Sequence, residues 1–220
     1  MRMLEVNPTR RRDDVTNAIN VRRGPETASG PPLPALAPEA HLLRPLLDRL
    51  RTEPEATLAS RREGDEFVDV TVEEAVDTIR KLAKGLVAAG VAPGERVALM
   101  SHTRLEWMLL DYAILAAGGV TVPVYDTSSA EQIRWIVSDS EAVLLIVETD
   151  AMFDIVAALR ADLPMCSEVL TIDDGALDAL ESRGASVDDT TIDQRIADLG
   201  LGSIATIIYT SGTTGRPKGC

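Results

Sequence analysis

The chain has 220 residues, of which 45% are hydrophobic, and a net charge of −13 at neutral pH. This length and apolar content allow a sizeable core, and the acidic balance argues against a nucleic-acid partner, because polyanion binding needs clustered Lys and Arg. The two cysteines and two histidines lack metal-ligand or redox spacing. Their spacing argues against a disulfide framework and a metal site, indicates a reducing compartment and leaves each histidine a structural or surface role.

Residues 1–37 differ from the rest of the chain, because they are rich in Arg and Pro and have almost no apolar periodicity. This composition predicts a disordered tail. Six Arg against four acidic residues is a weak basic excess, so a solvated tail is favoured over peripheral contact with an acidic membrane surface. Neither a signal-peptide core nor an apolar run long enough to span a bilayer is evident. The sequence therefore predicts a cytoplasmic location and no integral membrane segment.

From residue 38 onward, helix and strand signals alternate, which predicts an α/β fold with helices layered on a mostly parallel sheet. Residues 38–52 are predicted to form a helix with five leucines on one face. These are Leu42, Leu43, Leu46, Leu47 and Leu50. Two short runs on either side of residues 63–65 predict a hairpin. Thr71 and Glu74 have capping-box spacing at the start of a helix that extends to Gly90.

The remaining predicted elements continue this alternation, with apolar helices and β-branched strands separated by turn residues. They are a strand at 96–100, a helix at 105–117, a strand at 120–124, a helix from Ser128 or Ser129 through Ser138, a buried strand at 142–147, a helix at 150–161, a strand at 168–172 and a helix at 190–199. Gly118 and Gly119 are predicted to end the helix that precedes them. Trp107 and Trp135 recur among Leu and Ile at helical spacing, which predicts core packing for both rings.

An apolar, β-branched run at 204–209 predicts a buried strand that delivers the following residues to the edge of the sheet. Those residues combine four hydroxyls, three glycines and a lysine. They are Thr210, Ser211, Thr213 and Thr214, Gly212, Gly215 and Gly219, and Lys218. The hydroxyls and the ammonium group can donate to anionic oxygens, and glycine lets a ligand approach backbone N–H groups. The pattern indicates phosphate binding, with a flexible polar tail as the alternative.

This loop is not a Walker A loop, because Pro217 and Gly219 stand where that motif needs Gly and Ser or Thr. Instead, the run YTSGTTGRPKG from Tyr209 to Gly219 closely resembles the signature loop of the adenylate-forming superfamily. That superfamily contains acyl-CoA synthetases, peptide-synthetase adenylation domains and luciferases. The resemblance implies that Lys218 supports the loop and that six residues contact the β- and γ-phosphates of ATP. These six are Thr210, Ser211, Gly212, Thr213, Thr214 and Gly215.

The middle of the chain resembles the same superfamily independently. Residues 90–97 (GVAPGERV), 104–107 (RLEW) and 115–126 (LAAGGVTVPVYD) are similar to the N-terminal subdomain of acyl-activating enzymes. Residues 127–142 (TSSAEQIRWIVSDSEA) narrow the resemblance to bacterial long-chain fatty acyl-CoA synthetases of the actinobacterial type. Residues 38–220 are thereby identified as the N-terminal part of an AMP-binding domain.

Members of this family activate a carboxylate with ATP to give an acyl-adenylate and pyrophosphate, and the thiol of CoA then displaces AMP. The resemblance therefore implies a long-chain fatty acid–CoA ligase that uses ATP, Mg²⁺ and CoA. In the family, the adenine pocket, the acidic Mg²⁺ ligand and the catalytic lysine follow the phosphate loop, so the catalytic residues are expected beyond Cys220. The 220-residue chain alone is expected to lack ligase activity, and acyl-CoA formation by it would contradict this expectation.

Two alternatives stay open at this point. The first is an adenylation domain that loads an amino or aryl acid onto a carrier protein, over which residues 125–142 favour the fatty acid. The second belongs to another class and is a non-catalytic binding or interaction module. Binding of ATP with Mg²⁺ would separate an enzyme from such a module, because an interaction module need not bind nucleotide.

Overall fold

A parallel sheet organises the part of the chain that the computed structural model describes, which comprises residues 35–210 and 216–220. Up to residue 199, helices and strands alternate as predicted, except that α6 has no counterpart in the prediction. Within these residues the helices are α1 (Arg44–Thr52), α2 (Val72–Ala88), α3 (Leu105–Ala116), α4 (Ala130–Asp139), α5 (Asp150–Ala158), α6 (Ala176–Gly184) and α7 (Asp189–Ala197). The strands are β1 (Thr57–Glu63), β2 (Glu66–Thr71), β3 (Arg96–Met100), β4 (Val120–Val124), β5 (Leu144–Val147), β6 (Glu168–Thr171), β7 (Tyr209–Thr210) and β8 (Lys218–Gly219).

β3 lies inside the sheet, whose described strands follow the order β4-β3-β5-β6 and pair in parallel. Parallel neighbours need crossover connections, and α3, α4 and α5 provide them. All residues of β3 after Arg96 are buried, as expected for a strand covered on both faces. The predicted α/β class is therefore confirmed.

Two apolar cores cover the two faces of this sheet. Side chains alternate along a strand, so Val97 and Leu99 of β3 face one core while Ala98 and Met100 face the other. Helices α1, α2, α3, α6 and α7 contribute to the first core, and α4 and α5 contribute to the second. None of the helices in the described ranges is long and apolar enough to cross a membrane.

The β1–β2 hairpin leads directly into α2, and both are confirmed where the sequence predicts them. Gly64 adopts a φ of 62° between the strands, a left-handed conformation that favours glycine. The Thr71 hydroxyl accepts a hydrogen bond from the backbone N–H of Glu74, whose carboxylate accepts one from the backbone N–H of Thr71. This reciprocal pair is the predicted capping box.

α1 begins at Arg44, later than the predicted start at residue 38. Pro45 explains the difference, because proline has no N–H and its ring clashes with the carbonyl four residues earlier, so it is tolerated only in the first turn. Leu42 therefore precedes the helix. It is 64% exposed, so its assignment to the buried leucine face is wrong. The other four predicted leucines are buried or pack partly buried against the first core.

Helix α6 packs against α2 so closely that the two backbones touch. A Cβ added to Gly85 of α2 would lie 2.1 Å from the carbonyl oxygen of Leu180, and one added to Gly184 would lie 2.6 Å from the backbone nitrogen of Gly85. These distances are shorter than any real Cβ contact. The crossing therefore requires a residue without Cβ on each helix.

Residues 204–209 run beside β4, but they do not form the buried strand that was predicted. A parallel bridge joins Thr206 to Thr121 of β4. Among the described residues before β7, the pairing with β4 does not extend beyond this single bridge. Ile204 is 62% exposed and Ile208 is 44% exposed. Ala205 packs partly buried against the first core and Ile207 against the second, so the described residues cover this segment only in part.

We expect Gly85→Ala to lower the free energy of unfolding by about 1–3 kcal/mol, the usual cost of overpacking. A loss of stability is informative, because Ala is otherwise favoured over Gly inside a helix by ~1 kcal/mol and the substitution would then raise the free energy of unfolding. Urea denaturation followed by circular dichroism measures the change. Gly202→Ala is the matched control, because no atom lies within 4 Å of the added Cβ and the φ of Gly202 is not left-handed. A Gly85→Ala protein as stable as this control would contradict the close crossing.

Candidate phosphate-binding site

A short antiparallel hairpin carries the described residues on either side of the predicted phosphate loop. β7 pairs with β8, so that Thr210 lies opposite Lys218. Ile208 and Cys220 extend the pairing through backbone hydrogen bonds of 2.9 and 3.0 Å. Residues 211–215 lie outside the described residues. Their predicted phosphate contacts therefore stay predictions.

The structure brings Thr210 and Lys218 together on one face of this hairpin. Directly opposed residues of an antiparallel pair project to the same side, and both residues are exposed. A hydroxyl and an ammonium group placed side by side can donate to oxygens of the same polyphosphate. Arg216, which precedes β8 and is also exposed, adds a second cation. The donor set of the described residues therefore fits the polyphosphate of ATP.

Tyr209 occupies the opposite face of the hairpin and is 7% exposed. Its ring covers Gly219, where an added Cβ would lie 3.2 Å from the ring carbon Cζ. The phenol O–H donates to Oδ2 of Asp139, on α4, at 2.7 Å. Burial, followed by the hydrogen bond to Asp139, raises the pKa of Tyr209 and keeps the phenol protonated as a donor. Helix α4 therefore holds the first limb of the hairpin.

Trp135, also on α4, holds the second limb. Its indole Nε1–H donates to the carbonyl oxygen of Pro217 at 2.8 Å. The guanidinium carbon of Arg216 lies 4.8 Å from the centre of the Trp135 ring, within cation–π range. Trp135 also packs partly buried against the second core, so the predicted core packing is confirmed but is only half of its role. The one sequence signal for the contact with Pro217 was the indole N–H of Trp135, which usually finds a hydrogen-bond partner when it is buried.

A second cluster of charged side chains lies at the carboxyl ends of the strands, where open α/β sheets bind ligands. His102 follows β3, Asp126 follows β4 and Glu148 follows β5. The His102 ring joins both carboxylates, with Nε2 3.0 Å from Asp126 and Nδ1 2.9 Å from Glu148. Arg104 pairs with Glu148 at 3.3 Å and with Asp173, after β6, at 2.8 Å. These opposite charges satisfy one another, which gives His102 the structural role predicted for it.

The pairing shifts the pKa values of His102 and Glu148 in opposite directions. The hydrogen bond and charge of Glu148, and then the charge of Asp126, raise the pKa of His102 above its ordinary 6.5. Burial acts to raise the pKa of Glu148, but hydrogen bonds from the His102 backbone, the His102 ring and Ser101 outweigh it and hold that pKa below its ordinary 4.5. The pair is therefore most stabilising between those two ordinary values, where His102 is charged and Glu148 is ionised.

Mg²⁺ is expected from the resemblance, and the described residues contain no cluster of metal-ligating side chains. Among residues 35–210 and 216–220, no group of three or more His, Cys, Asp or Glu side chains could hold a metal ion. Asp139, the carboxylate that contacts the hairpin, accepts the hydrogen bond of Tyr209.

Comparison with known families decides the assignment of the fold and hairpin. The model of the family described as AMP-binding enzyme matches residues 47–220. The chain belongs to the AMP-binding enzyme family. The match includes the parallel sheet, α4 and the hairpin. The family resemblance based on residues 90–142 and 209–219 is therefore confirmed.

Relatives within this family are similar to the chain over most of its length. The long-chain-fatty-acid–CoA ligase FadD15 of Mycobacterium tuberculosis is 50% identical over 173 residues, which are 77% of this chain and 29% of FadD15. The inhibitor-bound N-terminal domain of FACL13 from M. tuberculosis aligns with 79% of this chain and 42% of that structure, with 28% identity and a TM-score of 0.65. A structure of an M. tuberculosis fatty acyl CoA synthetase aligns with 79% of this chain and 32% of its own, with 26% identity and a TM-score of 0.64. The chain thus spans less than a third of the length of FadD15.

We expect the contribution of His102 to stability to be complete below about pH 6.5 and to be lost as the pH rises through the raised pKa. His102→Gln should therefore lower the free energy of unfolding more at about pH 6 than at about pH 9. Urea denaturation at several pH values measures this difference. His41→Gln supplies a contrast, because burial and then the charge of Arg44 lower the pKa of His41. The effect of this substitution on the free energy of unfolding should therefore change with pH in the opposite direction to that of His102→Gln. Parallel curves for His102→Gln and the unaltered protein would contradict the pairing.

Proposed function

We propose that the natural protein that carries this sequence activates a long-chain fatty acid with ATP and transfers the acyl group to CoA. The observation that carries the proposal is the hairpin, which sets Thr210 and Lys218 side by side at the edge of an α/β sheet within an AMP-binding match. The 50% identity to FadD15, which is named as a long-chain-fatty-acid–CoA ligase, supports the fatty acid as the substrate.

In the first half-reaction, a carboxylate oxygen attacks the α-phosphorus of ATP, and the bond from that phosphorus to the pyrophosphate leaving group breaks. Negative charge grows on the pyrophosphate oxygens during this step, so donors already in place lower the barrier without reorganising. Thr210 and Lys218 would bind these oxygens, together with the predicted donors at 211–215. In the second half-reaction, the sulfur of CoA attacks the acyl carbon, the thiol proton is lost and AMP leaves.

The partners that follow from this proposal are small molecules, namely the fatty acid, ATP and CoA. Mg²⁺, when bound, would neutralise phosphate charge. The cytoplasmic location and the solvated N-terminal segment stay predictions, and so does the boundary near residue 37.

Exchange of labelled pyrophosphate into ATP tests the first half-reaction. We expect exchange to depend on a long-chain fatty acid such as palmitate. Lys218→Gln should lower kcat/KM for ATP by about 10- to 100-fold, because hydrogen bonds between charged groups contribute ~1.5–3 kcal/mol. Thr210→Val, which keeps the shape but removes the hydroxyl, should lower it by about 10-fold, the lower end of that range, because the hydroxyl carries no charge of its own.

Lys81→Gln is the matched control, because Lys81 is an exposed lysine of α2 that pairs only with Asp77 among the described ion pairs. It should leave kcat/KM unchanged. Exchange that depends on an amino or aryl acid instead of palmitate would favour the carrier-loading alternative. Failure to bind ATP with Mg²⁺ would favour the non-catalytic module and overturn the proposal.

A further inference from the structure

Both limbs of the phosphate hairpin are attached to the same face of one helix. Trp135 and Asp139 are four residues apart on α4, a spacing that places their side chains one above the other. Asp139 accepts the hydrogen bond of Tyr209 before the loop, and Trp135 donates to Pro217 after it. The two contacts therefore enclose the segment that carries the predicted phosphate contacts.

Helix α4 is well suited as a support because it is fixed at both ends. At its start, the Ser129 hydroxyl accepts a hydrogen bond from the backbone N–H of Gln132, and the Gln132 side chain accepts one from the backbone N–H of Ser129. At its end, the guanidinium of Arg96, in β3, donates to the carbonyl oxygens of Ser140 and Glu141 at 2.6 and 3.2 Å. The helix is thereby tied to a central strand of the sheet.

The apolar side of α4 adds a third restraint. Ile133, Ile136 and Val137 are at most 5% exposed and belong to the second core. Their burial fixes the rotation of the helix about its own axis, because another rotation would bring polar side chains into that core. The direction in which Trp135 and Asp139 point is therefore set by packing that is independent of the hairpin.

The contacts themselves are polar and directional, unlike core packing. An indole N–H and a carboxylate each require a partner at a defined distance and angle. The Arg216 guanidinium over the Trp135 ring further restrains the residue next to Pro217. Core packing alone would tolerate Phe in place of Trp135, whereas the bond to Pro217 would not survive that change.

We propose that Trp135 and Asp139 are positioning residues for ATP, because they hold the hairpin limbs that carry Thr210 and Lys218 in the geometry that accepts phosphate. This inference rests on the proposed function. Neither side chain need touch the nucleotide. Each acts through the hairpin, so its loss should weaken the use of ATP and leave the use of the acid substrate unchanged.

The test uses the natural protein that carries this sequence and the pyrophosphate exchange assay. We expect Trp135→Phe to raise KM for ATP by about 3- to 10-fold, as expected for the loss of one neutral hydrogen bond. KM for palmitate and the melting temperature should change little. Trp107→Phe is the matched control, because Trp107 packs partly buried against the opposite core and its substitution should not change KM for ATP.

The first limb is tested with Tyr209→Phe, Asp139→Ala and the double variant. Each single change removes the same hydrogen bond, so the double variant should raise KM for ATP less than the product of the two single effects. These variants also decide the matter if Trp135→Phe fails to fold.

The outcomes separate this inference from the proposed function. An unaltered protein without ATP-dependent exchange would overturn both. Normal exchange with the same KM for ATP in Trp135→Phe and in the Asp139→Ala set would overturn the positioning role alone. A lower melting temperature accompanied by equal increases in KM for ATP and palmitate would show general loosening of the fold, which also contradicts it.

Discussion

The parallel pairing of β3 between β4 and β5 is the constraint on which the rest of the described structure depends. Parallel neighbours cannot be joined by tight turns, so each strand is followed by a helix that returns across the sheet. Because β3 is buried on both faces, those helices must cover both. This requirement places α4 beneath the β4 edge, on the face opposite α2 and α3. The support of the phosphate hairpin is thus a by-product of covering the sheet.

The two faces use different means of packing. On the first face, α2 and α6 meet at Gly85 and Gly184, and the Arg195 guanidinium of α7 donates to the carbonyls of Val91 and Ala117, after the ends of α2 and α3. The helices on that face are held together by the backbone contact between α2 and α6 and by the Arg195 cation at the ends of α2 and α3. On the second face, α4 keeps one polar side for the hairpin. The first face therefore serves stability, and the second also serves the site.

The sequence predicted those elements whose signals are local. The capping box at Thr71, the start of α4 at Ser128 or Ser129 and the glycine that ends α3 are signals within a few residues of the helix that they delimit, so each could be predicted from the chain. Helix α6 was missed because the residue that it packs against most closely, Gly85, is distant in the chain. The pairing of residues 204–209 was wrongly predicted because β-branched composition indicates extended backbone, while the number of paired residues depends on which elements lie nearby.

The phosphate loop shows the same limit at the level of the site. Its residue order predicted which groups bind phosphate, but nothing in that order identified the helix that contacts the hairpin. Helical spacing put Trp135 among apolar neighbours and so predicted packing, yet the same ring also donates to Pro217, which lies 82 positions later in the chain. Contacts between such distant residues follow from the topology of the sheet and not from periodicity.

The contacts between α4 and the hairpin also fix the position of positive charge in a chain whose net charge is −13. A polyphosphate approaching an acidic protein is repelled at long range, but at physiological salt that field is screened beyond a Debye length of about 8 Å. Within that distance, the cations on the hairpin would decide the proposed interaction with ATP. Stacking on Trp135 holds the Arg216 charge at the limb that carries Lys218. Helix α4 therefore holds positive charge beside the proposed phosphate site of an otherwise acidic chain.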